Sequence, residues 1–155
     1  MEEPFRMKNL FETAALDEVK ERLGQLKSDS RRLWGKMSAA QALAHCAAAM
    51  EWAVGLKFPP RRLIGRLFGR FAKSVIVNEK LMPRNSMTDK NLLVRDERDF
   101  EVEWQRLRGL IERFAEAGPA GCTKHPHSLF CPLTPMEWAA LMYQHLDHHL
   151  RQFGV

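Results

Sequence analysis

His145 and His149 stand four residues apart in Met142-Tyr143-Gln144-His145-Leu146-Asp147-His148-His149-Leu150, a run that reads as one helix. Residues four apart on a helix lie one above the other, so both imidazoles can aim at a single point. That is the spacing of metal-binding His-x-x-x-His pairs. At about 100° per residue the pair shares a stripe with Trp138, Leu141 and Gln152. Trp138 and Leu141 mark the stripe as core, which turns the imidazoles inward. Two buried imidazoles need partners, because an unpaired buried polar group is costly. A metal ion is one such partner; carboxylates and backbone carbonyls are others.

The elements that must position these side chains are helical, and strand signals are scarce. A first helix is expected over roughly Asn9 to Lys27, with Leu10, Ala14, Val19, Leu23 and Leu26 as its apolar positions. A turn from Ser28 to Met37 follows. Ser38 then caps a second helix with Gln41 three residues on, a capping box, and Gly55 ends it. A third spans roughly Glu97 to Ala117, with Phe100, Trp104, Leu107, Ile111 and Phe114 on one face, and Gly118-Pro119 stops it. Thr134, Pro135 and Glu137 open a fourth, which continues to about Phe153. Short turns make neighbouring helices antiparallel, while the stretch of about forty residues between the second and third permits a parallel crossover. The expected fold is therefore all-α: an up-down-down-up four-helix bundle, residues 1–155 forming one domain, with a short basic helix in the crossover.

This topology gathers a site. His45 lies ~10 Å past the cap of the second helix and His149 ~6 Å before the end of the fourth, with His145 one turn deeper. Antiparallel packing of the two helices brings all three histidines to the same depth. Gln41 and Gln152 add polarity at this end, whereas Ala49, Trp52, Leu141 and Trp138 fill the other direction. Three neutral imidazoles suit a borderline divalent ion, zinc or nickel first, with iron also compatible. Three protein ligands leave a position open, and a thiol or water held there would lose its proton more readily. Glu103, bordering the core face of the third helix, is a candidate to orient a histidine or act as a base, although an exposed glutamate is the plainer reading. His148 sits on the shoulder of the stripe, as an outer neighbour of the ligands or a surface residue. Trp34 and Trp52 are candidates to line the pocket.

An early-helix histidine followed far downstream by His145-x-x-x-His149 resembles the DinB/YfiT-like superfamily of four-helix-bundle metalloproteins. Trp34-Gly35-Lys36-Met37, His125-Pro126-His127, Thr134-Pro135-Met136-Glu137-Trp138 and the ending through Gly154 resemble an uncharacterised bacterial branch of it. The resemblance implies the up-down-down-up fold, a divalent ion on His45, His145 and His149, and chemistry of the kind performed by transferases and isomerases that use low-molecular-weight thiols. It assigns no reaction to the branch.

Other features set bounds. Apolar residues make up 45% and charged residues 28%, ordinary for a globular protein. The net charge of +5 permits acidic partners without demanding them. The basic excess gathers between Arg61 and Lys73, read as a crossover helix whose arginines sit in water. A surface-binding module for nucleic acid or anionic lipid is the lesser reading, and no nucleic-acid motif supports it. The acidic start, Met1 to Arg6, carries no secretory signal, no segment is apolar enough to span a bilayer, and three cysteines without framework spacing fit a reducing cytoplasm. Cys122, His125, His127 and Cys131 form a Cys/His group of no standard spacing, expected at the end away from His45. Asp147 is expected in an exposed pair with Arg151. The sequence thus points to a metal-dependent enzyme acting on a small molecule, by thiol transfer or hydrolysis. The alternative is a non-catalytic metal-binding or stress-response bundle that dimerises through a helix face.

Overall fold

A computed structural model describes residues 7–74, 81–86, 88–130 and 132–155. The N-terminal stretch Met1 to Arg6 and Cys131 therefore lie outside the described residues. Those residues form five α-helices and contain no strand: α1 (Thr13–Gln25), α2 (Ala39–Ala53), α3 (Leu63–Ala72), α4 (Phe100–Ala117) and α5 (Pro135–Gln152). Two 3-10 turns, Lys90–Leu92 and Pro119–Gly121, sit in the connections.

Local chemistry sets the helix boundaries. Ser38 accepts from Gln41 N–H while the Gln41 side chain accepts from Ser38 N–H, and Thr134 and Glu137 repeat this box at α5. Gly55, at φ 74°, turns the chain after α2 in the left-handed region that suits glycine. Two starts come later than expected. Asn9 accepts from Phe11 N–H and donates to Glu12 and Met7 O, so its side chain builds a turn and α1 begins at Thr13. Ala14 consequently faces solvent and Ala15 takes the core position. Asp99 accepts from Val102 N–H at 2.9 Å, which starts α4 at Phe100 instead of Glu97.

The core runs between α1, α2, α4 and α5, with Trp138, Phe114, Leu10, Met50, Leu107, Ile111 and Val19 fully enclosed. The alanines of α2 let it lie close along α4. Contacts advance together along α1 and α5: Leu10 N–H donates to Ala139 O, Tyr143 to Glu18, and Arg22 pairs with Asp147 at 2.7 Å. Between α1 and α4 they advance oppositely, from Phe11 stacked on Phe114 to Trp104 Nε1–H donating to Leu23 O. Asp147 was expected in the open. It is only 8% exposed, because Arg22 of α1 joins Arg151 in enclosing its carboxylate.

Candidate metal centre

His45 on α2 and His145 and His149 on α5 meet. Among the described residues they are the one group of three or more potential ligands that converges, with ligand atoms all within 4.8 Å of one another. His45 Nε2 lies 2.8 Å from His145 Nε2, and the His149 ring centroid lies 4.7 Å from that of His45 and 4.8 Å from that of His145.

Neighbouring groups decide which nitrogens face the shared point. His45 Nδ1 lies 2.7 Å from Leu92 O. A carbonyl can only accept, so Nδ1 carries the proton and Nε2 keeps its lone pair. Gln152 Nε2 donates to Trp34 O at 3.0 Å, which turns Oε1 toward His149 Nδ1 at 2.9 Å. His149 therefore donates from Nδ1, which leaves Nε2 as the nitrogen with a free lone pair. Gly35 makes this contact feasible: its φ is +79°, and a Cβ there would run into Gln152 Nε2. The Trp34-Gly35-Lys36-Met37 turn thus holds the amide that orients His149.

Burial keeps all three rings neutral, as ligation requires. It lowers the pKa of His45; it also pushes His149 down to about 3 and His145 well below the ordinary histidine value, with the neighbouring His45 adding to the shift in both. Desolvation disfavours the imidazolium, and clustered imidazoles cannot all be charged. The donor set fits a borderline divalent cation such as zinc or nickel.

The histidines open onto a cavity of about 420 Å³, the size of a small-molecule site. Trp34, Met37, Leu92, Phe130 and Leu141 give it largely apolar walls, and Asp89, His127 and His148 supply polar ones. Arg84 lies 4.2 Å over the Trp34 ring. His148 packs edge-on to Trp34 and His149 and is half-buried at the cavity wall.

Three other candidates face elsewhere. Gln41 completes the α2 cap and donates to Asp96 O. Glu103 is 5% exposed, contrary to the exposed reading, yet Arg98 and Arg106 hold its carboxylate and it does not line the cavity. Trp52 packs against His127 without lining the cavity.

Residues 127–130 depart from expectation. The loop was placed away from His45, but His127, Leu129 and Phe130 wall the same cavity. His127 Nδ1 accepts from Leu129 N–H, its ring packs on Trp52, Phe130 and Trp138, and burial pushes its pKa down to about 4. Asp89 and Leu92 went unrecognised in the sequence. Asp89 accepts from Asn91 N–H, capping the 3-10 turn that carries the Leu92 carbonyl to His45. The signal available was Asp89 two residues before Asn91, a weak turn signature.

Residues 6–154 match the family described as "Protein of unknown function (DUF1569)". The match spans nearly the whole sequence, and the chain belongs to that family. No curated protein and no solved structure matches the chain.

Proposed function

We propose that the chain is a metal-dependent enzyme acting on a small molecule, with a divalent ion, zinc or nickel, held by His45, His145 and His149. The convergence of these imidazoles at the floor of a cavity carries the reading. We read the helices as the up-down-down-up four-helix bundle of the DinB/YfiT-like superfamily. The contacts that advance together along α1 and α5, and oppositely along α1 and α4, support that arrangement.

When bound, the ion would act as a Lewis acid and lower the pKa of a group that it coordinates, which suits thiol transfer or hydrolysis at neutral pH. The protein's own residues do the rest. Leu92 O and Gln152 fix two imidazoles in the tautomer that points Nε2 inward, as outer-shell partners do in metal sites. The apolar walls select a compact, partly apolar substrate and displace water. His127, neutral at physiological pH, and the Asp89 carboxylate are the polar groups available to hold it. Hydrogen bonds led by that from Asn91 N–H keep the Asp89 carboxyl below its usual range despite burial, so it is ionised.

The test is a panel of low-molecular-weight thiols with electrophiles, and of small hydrolysable substrates, on the zinc- and nickel-loaded protein. Turnover that disappears in His145→Ala is expected. Stoichiometric metal binding with no turnover across the panel would favour the non-catalytic metal-binding bundle instead.

A further inference from the structure

The crossover helix α3 is attached by the wrong face for an ordinary amphipathic helix. At about 100° per residue, Leu63, Ile64, Leu67, Phe68 and Phe71 form one continuous arc of about 140°. Such an arc normally packs against a core. Here these five residues are 70%, 54%, 64%, 57% and 77% exposed. The buried face is made by Gly65 and Gly69. A Cβ on Gly65 would strike Ser128 O and the Leu129 backbone, so glycine is what lets the helix seat there. Arg62 N–H donates to Ser128 O at 2.9 Å at one end, and Lys73 pairs with Glu137 of α5 at 2.8 Å at the other. The helix is thus fixed at both ends with its apolar arc turned outward.

Charge identifies what that arc fits. Arg66 and Arg70 lie along one edge, next to Leu63, and Arg61 is exposed just upstream. None of the three has an ion-pair partner among the described residues. A ten-residue helix is about 15 Å long. Its outward face is apolar with one cationic edge, and the helix carries no acidic residue, the pattern of a helix lying in a membrane interface. A bilayer needs no matched surface: it accepts apolar side chains at the acyl boundary while arginines meet anionic headgroups. No helix among the described residues is long and apolar enough to cross a membrane, so contact would lie in the plane of the interface.

We propose that α3 is a docking surface for an anionic membrane, with Leu63, Ile64, Leu67, Phe68 and Phe71 entering the interface and Arg61, Arg66 and Arg70 engaging lipid headgroups. The proposal does not depend on the metal reading.

Flotation of the full-length chain with phosphatidylcholine vesicles, alone or with one quarter phosphatidylglycerol, tests it. Binding to the anionic vesicles alone, weakened in 0.5 M salt, is expected. Each arginine near such a surface is worth about fivefold in partitioning, so Arg66→Gln with Arg70→Gln should lose more than tenfold. Leu67→Glu with Phe71→Glu should abolish binding, with circular dichroism and melting unchanged because both side chains sit in water. Three results would overturn the assignment. One is no anionic-vesicle binding by the wild-type chain. Another is self-association without vesicle binding, removed by Leu67→Glu, which gives the face to a second copy. The third is binding of duplex DNA, but not vesicles, that needs the arginines and ignores the Leu67 and Phe71 changes.

Discussion

Gln152 acts on His149 directly and Asp89 acts on His45 through the turn that presents Leu92 O, and their substitution separates geometry from ligation. Gln152→Leu removes the acceptor at His149 Nδ1 and leaves all three imidazoles in place. Affinity for zinc is expected to fall about 10- to 100-fold, as for other outer-shell partners, while stoichiometry is unchanged; competition with a chromogenic chelator measures both. Asp89→Ala should act in the same direction by unseating the turn that presents Leu92 O. His127 carries a pH dependence of its own. Its folded pKa is about 4 against 6.5 for an ordinary histidine. Between those values the unfolded chain binds a proton that the folded chain refuses, so stability is lost as pH falls from 6.5 toward 4. The whole shift is worth about 3 kcal/mol. In urea melts, the stability of wild type relative to His127→Phe should be constant above pH 6.5 and fall by about 3 kcal/mol between pH 6.5 and 4. The three converging histidines were legible because helical spacing is periodic, and Gln152 stood on the same stripe. Asp89, Leu92 and the cavity face of His127 were not, since irregular segments carry no period and a backbone carbonyl leaves no mark in a sequence.

At the scale of elements, the capping boxes at Ser38 and Thr134 gave the most readable boundaries, because the cap side chain and its partner three residues on are both written in the chain. Ser38→Ala and Thr134→Ala should each cost about 1 kcal/mol in chemical denaturation. The starts of α1 and α4 were misplaced for the same physical reason: Asn9 and Asp99 spend their side chains on nearby N–H groups, and the helix opens only beyond the turn so formed. The Asp147 pairing was missed because Arg22 is 125 residues away, beyond any local rule. Arg22 joins α1 to the Asp147 carboxylate and to Val155 O. Asp147→Ala strips the mostly buried guanidinium of its main counter-charge and should destabilise by about 2–3 kcal/mol, more than either cap. The order of these three variants in urea midpoint is the check.

For the whole molecule, connection lengths carried the topology argument: two short turns and one long crossover lead to the arrangement that we propose for the helices. Length alone did not say that the crossover and the 127–130 segment turn back to wall a cavity over the histidines. Nor did composition say that α3 would seat on Gly65 and Gly69 with its apolar arc outside; those glycines read as helix-weakening residues until the backbone of Ser128 and Leu129 lay against them. At the centre of the proposed function is one cation that the three imidazoles would share. Zinc titrated calorimetrically into untagged, chelator-treated protein tests this most directly. About one tightly bound ion per folded chain is expected, with binding lost in His145→Ala while the variant keeps its helical spectrum. Wild-type protein that takes up no zinc or nickel, or a His145→Ala protein that binds as tightly as wild type, would contradict it.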